Sequence, residues 1–401
     1  MTHRYRSLSL GLGLALLLSV AVRADALAQP VMLVSSTGTN SVKQYDLATG
    51  AYMGDFIPAN ANVLLTQEIL LAPDGTFLVS FWRGSENSTV RRYDTDGSFL
   101  GSFTSGYSLD QPTKMTFGPD GDLYVSQWSS TQNVVVRFDG QTGAFDAVVA
   151  DEESIVNPMG HAWLPDGTLL VSNWSQNGET GLVRSYAQGS PTPTGTFARF
   201  LRGPVNLFWH PSGDLLVSDW SQGAVIRYDG ATGAFKSTFI SGLTRLEGYA
   251  IDGNTLYLGE WGGNAVRKYN LDTGASLGYF ISPNTGGLVN PNSLLIYDPA
   301  AATASDGQPD AGLPASTVLL QNYPNPFNPQ TTLSYLLAES GPVTLVVYDL
   351  FGRETATLVD GTQAAGAHEA TFDATGLPNG VYMARLVTRD GSRTRVMTVL
   401  K

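Results

Sequence analysis

The segment PDGTLLVSNW, Pro165 to Trp174, reads as a tight turn running into a strand, and it recurs through the chain. Close copies are PDGTFLVSFW from Pro73, PDGDLYVSQW from Pro119, PSGDLLVSDW from Pro211 and DGNTLYLGEW from Asp252. Their closing tryptophans, Trp82, Trp128, Trp174, Trp220 and Trp261, are spaced 46, 46, 46 and 41 residues apart. A weaker sixth copy, Val31-Met32-Leu33-Val34-Ser35, carries Thr37 in the tryptophan position, 45 residues before Trp82.

Working outward, each copy is followed by a V-x-R/K-x-Y/F-D strand such as Val90 to Asp94 or Val225 to Asp229. A T/D-G turn and a third strand come next, as in Gly97 to Phe103 and Gly233 to Phe239. Ahead of each turn lies a further strand, opened by proline in most copies: Pro112 to Phe117, Pro158 to Trp163, Pro204 to Trp209. Four short strands in roughly 46 residues are the period of a β-propeller blade. The alternation of apolar and polar residues predicts strands with one face buried against a neighbouring blade. The first unit begins on a second strand, and its missing partner is Asn290 to Tyr297 at the far end of the repeat. Closing blade one from both ends leaves no open edge. Six blades follow.

Composition agrees with this reading. The 401 residues include 44 glycines and 21 prolines, and 14% are charged against about 25% in ordinary soluble proteins. Long-helix, coiled-coil and disordered readings are excluded. The net charge of −12 and the pI of 4.7 exclude attraction to nucleic-acid phosphate. With no cysteine, disulfides, zinc-thiolate sites and thiol nucleophiles are also excluded. Residues 29–298 hold 14 basic and 25 acidic side chains, net −11, and residues 299–401 hold 6 and 9, net −3.

The two ends have their own signals. Arg4 and Arg6 precede an apolar run from Leu8 to Val22, and small residues recur at Ala24, Ala26 and Ala28. This is the layout of a secretory signal peptide over residues 1–28, with cleavage expected after Ala28. The run is shorter than the ~20 residues of a spanning helix, and no later segment is apolar enough, so the mature chain is expected to lack a transmembrane span. Residues 299–316, PAAATASDGQPDAGLPAS, have linker composition. Residues 317–401 hold a separate set of strands, expected to form an immunoglobulin-like β-sandwich.

The P-D-G-x-L-x-V-S-x-W and V-x-R-Y-D runs over residues 30–298 resemble the NHL and streptogramin-lyase-like six-bladed propellers. The tail segments LLQNYPNPFNPQTTLSYLL, VTLVVYDLFGRE, LPNGVYMARL and RVMTVLK resemble the type A C-terminal sorting domain of the type IX secretion system. Tyr323, Pro324, Asn325, Pro326, Gly352, Gly380, Tyr382 and Lys401 carry that second resemblance. It implies Sec export, passage through the type IX machinery as partner, and a secreted or outer-surface destination with the sorting domain removed. A monomer is expected.

Propellers host many activities, so function must come from a site. Starts of first strands and ends of second strands share one face. Glu68, Lys114, His161, Asn206, Glu247 and Asn292 stand near the former; Asp219 and Glu260 stand at the latter, immediately before tryptophans. These polar residues form the candidate ligand-binding mouth, and the propeller is expected to bind a ligand or protein partner there. The alternatives are a hydrolase or lyase using the mouth carboxylates with calcium or magnesium, and a structural surface component. Hard cations favour such oxygen ligands, and lactonase-type propellers are similar in holding a divalent cation with Glu, Asn and Asp. The streptogramin-lyase histidine–glutamate cluster has no counterpart here. His161 and His210 lie ~10 Å apart along the strand direction, too far to share a proton or metal. No G-x-S-x-G elbow supports serine catalysis. The tryptophans, one per blade at a fixed position, are expected to pack between blades, with sugar stacking as the alternative for exposed members.

Overall fold

The structure is a computed structural model describing residues 29–60, 64–83, 89–129, 131–151, 155–164, 166–174, 181–299, 317–319, 322, 327–337, 340–349, 353–364, 366–389 and 391–400. Ala28 with the leader, most of the linker, and Tyr323, Pro324, Asn325, Pro326, Gly352 and Lys401 of the tail motif lie outside the described residues.

Six four-stranded antiparallel sheets form the blades of one ring. The innermost strands of blades one to six are Pro291–Tyr297, Thr66–Leu71, Pro112–Phe117, Pro158–Trp163, Pro204–Trp209 and Leu246–Asp252. The ring closes as the repeat requires: Val31–Ser36 pairs with Pro291–Tyr297 from Val31 opposite Tyr297 to Ser36 opposite Pro291.

Burial falls from the axis outward. Every residue of Phe77–Phe81, Leu123–Gln127, Leu169–Asn173 and Leu215–Asp219 is buried. The expectation of one buried face is therefore corrected for these second strands, because a neighbouring blade covers each side. The outer strand Phe235–Ile240 is mostly exposed. Between adjacent blades lies an apolar cluster, as where Val31, Leu33 and Tyr297 of blade one meet Ile69, Phe77 and Val79 of blade two. Glycine is required where the third turn touches the preceding blade: a Cβ on Gly143 or Gly233, both at positive φ, would land 2.0 or 1.9 Å from the carbonyl oxygen of Phe103 or Phe197.

The serine of V-S-x-W staples the ring. Each innermost strand carries a bulge near its start, for instance between the pairs Pro158/Asn173 and His161/Val171. The bulge frees an N–H from the ladder, and the serine accepts it: Glu68 N to Ser80 Oγ 3.0 Å, Gly160 N to Ser172 Oγ 2.8 Å, Asn206 N to Ser218 Oγ 2.8 Å. The same hydroxyls donate onward to the next blade, Ser80 to the Thr113 carbonyl (3.0 Å) and Ser172 to the Val205 carbonyl (2.8 Å). One side chain thus satisfies two buried backbone groups on different blades.

The tail forms two facing sheets. Val318–Leu319, Gln330–Leu337 and Gly366–Asp373 make one; Glu354–Gln363, Gly341–Asp349, Gly380–Thr388 and Gly391–Val399 make the other. Leu333, Tyr335, Leu345, Val347 and Phe372 are buried between them. Tyr382 belongs to the same core and donates its hydroxyl to the Pro378 carbonyl, while Gly380 opens its strand at φ 154°.

Candidate functional site

The bulge decides which side chains meet on the axis. Glu68, Lys114 and Asn206 are the third residues of their strand starts, Glu247 and Asn292 the second, and His161 the fourth. Where a bulge sets two residues opposite one, strict alternation lapses, so neighbouring positions converge. Lys114 stands at the centre. Its ammonium lies 3.2 Å from Glu68 Oε2, 3.5 Å from Glu247 Oε1, and 2.9 and 3.0 Å from the backbone and side-chain oxygens of Asn292. These atoms come from blades three, two, six and one. Ser293 donates its hydroxyl to Glu68 Oε1, and Asn206 Nδ2 donates to the Glu247 carbonyl. Lys114 is 3% exposed and Glu247 7%, so the ion pairs sit in an environment of weak screening. Burial pushes the Glu247 carboxyl above its ordinary range, opposed by the Lys114 charge.

This plug bears on the expected calcium or magnesium. Glu68, Glu247 and Asn292 do offer an oxygen cage, but the tethered ammonium of Lys114 occupies its centre. Among the described residues no group of His, Asp and Glu is arranged to hold a metal ion. The chain as folded does not fit a divalent cation there.

Asp219 and Glu260 do not join the Lys114 contacts. They belong to a set of clamps, each fixing the loop that leads into its own blade. Gln127 Oε1 accepts the Asp110 N–H and Asn173 Oδ1 accepts that of Val156. Asp219 accepts those of Arg202, Gly203 and Gln222, and Glu260 that of Thr244. Glu260 also pairs with Arg267 at 2.6 Å. His161 is buried, with Nε2 2.7 Å from Ser126 Oγ. Desolvation pushes its imidazole down to about 3, so it is neutral at physiological pH. His210 lies apart, bonded to Ser212 and the Leu271 carbonyl.

Above the plug the tryptophans form a collar. Centroid distances are 6.3 Å for Trp82–Trp128, 4.9 Å for Trp128–Trp174, 5.1 Å for Trp174–Trp220 and 6.1 Å for Trp220–Trp261. In a six-fold ring the spacing between neighbours equals the radius, so the rings stand roughly 5–6 Å from the axis. Their interplanar angles of 53–59° approach the ~60° between successive blades, so the rings stand steeply. All five are half-buried. Each donates its backbone N–H to the residue before the innermost strand, and Leu65, Gln111, Asn157 and Arg245 hold that place at positive φ. The Arg245 guanidinium lies 4.9 Å from the Trp220 ring and 5.7 Å from that of Trp261. Thr37 leaves a gap in blade one. The tryptophans therefore both pack between blades, as expected, and rim the mouth.

A ring of six blades with a polar plug and an aromatic mouth, followed by a small sandwich, defines a β-propeller protein with an accessory β-sandwich. Comparison with known proteins agrees. Residues 321–399 match the family of secretion system C-terminal sorting domains. The tail thereby assigns the chain to type IX secretion and to the cell surface or exterior. Among solved structures, the chain is similar to one from a nidogen/laminin complex, with TM-score 0.54 and 16% identity over 67% of this chain and 98% of that one. It is also similar to a Bacteroides caccae protein of unknown function, with TM-score 0.51 and 14% identity over the same shares. At such identity the likeness shows the propeller fold alone. No curated protein matches the sequence. Among the described residues no helix is long and apolar enough to cross a membrane.

Proposed function

We propose that the propeller is an extracellular binding module whose ligand or protein partner seats on the tryptophan-collared mouth, with the sorting tail serving only to export it. The observation that carries this reading is the collar itself. Five half-buried tryptophans converge within about 6 Å of the axis, where packing between blades alone would be met by fully covered side chains. Such rings offer large, rigid contact area at low entropic cost. Arg245 already lies on two of them, so the faces at that step accept a partner.

The test is a screen of the purified chain against soluble oligosaccharides and basic peptides, read by intrinsic tryptophan fluorescence and by calorimetry. A ligand whose affinity falls at least tenfold in both Trp128→Ala and Trp174→Ala supports the collar. A ligand indifferent to both places the site elsewhere. Export is tested separately: deleting residues 321–401 in a type IX-competent host is expected to leave the propeller inside the cell envelope, and undiminished appearance in the medium or on the surface contradicts the assignment.

A further inference from the structure

On the other side of the plug, toward the P-D-G turns, the channel widens into a cavity of about 330 Å³, within the size of small-molecule sites. Its walls are apolar, with Ile69, Met115, Leu207, Tyr249 and Leu294 among them, and Ile251 stands 38% exposed at its rim. Its end wall is polar, formed by Glu68, Lys114, His161 and Asn206.

The hydrogen bonds of that end wall have a consistent polarity. Ser126 donates its hydroxyl to the Met159 carbonyl at 2.6 Å, so toward His161 it can only accept, and Nε2 carries the proton. His161 Nδ1 is then a lone-pair acceptor, and it is buried without a partner among the described residues. Buried polar atoms rarely stay unpaired, so a donor beyond the described residues is called for. Asn206 gives one of its two amide N–H groups to the Glu247 carbonyl, and its oxygen is left for another donor. Lys114 has its three N–H groups directed at the oxygens of Asn292, Glu68 and Glu247. The wall therefore presents the Glu68 carboxylate, the Asn206 oxygen and His161 Nδ1 as acceptors, against the one remaining N–H of Asn206.

We propose that this cavity binds a small apolar amine, its hydrocarbon body against the walls and its ammonium group at Glu68, Asn206 and His161. An ammonium supplies three donors and a positive charge. An alcohol of the same length supplies one donor and no charge, and a carboxylate brings a second anion against Glu68. The site lies across the plug from the collar, and either can exist without the other.

Three ligands of one shape separate the possibilities: hexylamine, hexanol and hexanoate, titrated into the full-length chain by calorimetry and checked by saturation-transfer NMR. Hexylamine is expected to bind at least tenfold more tightly than hexanol, and hexanoate not at all. Glu68→Gln should remove that tenfold preference with hexanol unaffected, and Ile251→Trp, at the rim, should weaken all binding at least tenfold. Hexanoate binding as well as hexylamine, or none of the three binding, overturns the proposal. So does hexylamine binding that Ile251→Trp leaves unchanged. The ranking on the unaltered chain stands on its own should Glu68→Gln fail to fold.

Discussion

The repeated positions of the ring and the plug at its centre lie within a few residues of each other, yet they are built on opposite rules. Serine staples recur in every blade but the sixth, and loop clamps in most, on equivalent backbone partners. The plug draws Glu68, Lys114, Glu247 and Asn292 from four blades, and its charges meet once. Repetition here serves the backbone, whose orphaned groups are the same in every blade. The unrepeated residues are free to carry chemistry.

Breaking the plug should have the largest effect. Lys114→Met leaves Glu68 and Glu247 facing each other with no cation between them, and the loss is expected at about 3–5 kcal/mol. Adding Glu68→Gln and Glu247→Gln should recover most of it, because the uncompensated charges are then gone. Thermal denaturation of the single and triple variants measures both. A single variant that unfolds like the unaltered chain would show that the pairing is incidental.

His161 sharpens the comparison through pH. Unfolded, its imidazole takes a proton near 6.5; folded, it resists until about 3. The unfolded state thus binds more protons in between, and the stability present above 6.5 drains away at about 1.4 kcal/mol per pH unit as pH falls toward 3. Glu247, raised by burial, acts with the opposite sign, its contribution present at low pH and lost as pH rises through its folded value. Comparing His161→Leu with the unaltered chain isolates the first effect. Unfolding free energies from urea titrations at pH 7 and pH 5 should differ by about 2 kcal/mol less in the variant. Equal pH dependence in both proteins would mean the imidazole is solvated.

These two regions also mark what the sequence discloses. The ring was legible because each blade buries the same strand and most turn at the same Asp-Gly, so one recurring pattern carries fold, blade count and closure. The mouth residues were legible as a group: Glu68, Lys114, Asn206, Glu247 and Asn292 meet around the plug, and His161 lines the same wall. Their pairing was not, because it joins Lys114 to Asn292 across 178 residues and depends on a bulge that shifts register without altering composition. Asp219 and Glu260 looked equally polar and equally placed. Their oxygens are spent on backbone N–H groups, which no side-chain pattern announces.

On the repeated side the expected effects are smaller. Ser172→Ala strands the Gly160 N–H and the Val205 carbonyl, at about 1–3 kcal/mol by thermal denaturation. A loss within a few tenths would mean that water replaces the hydroxyl.

Blade six offers the converse experiment, since Gly259 stands where other blades have the stapling serine. A Cβ placed there lies 3.3 Å from Gly248 N, the group a sixth staple would accept from, and 3.4 Å from the Pro291 carbonyl oxygen, one residue before the Asn292 carbonyl that corresponds to the acceptors in the other blades. Gly259→Ser therefore supplies the missing hydroxyl and removes a glycine from a strand, both favourable, against a contact that requires the neighbours to yield slightly. The net change is expected to be a gain below about 1 kcal/mol, measured as a small rise in melting temperature. A clear loss would show that blade six closes on glycine because the backbones there approach too closely for any side chain.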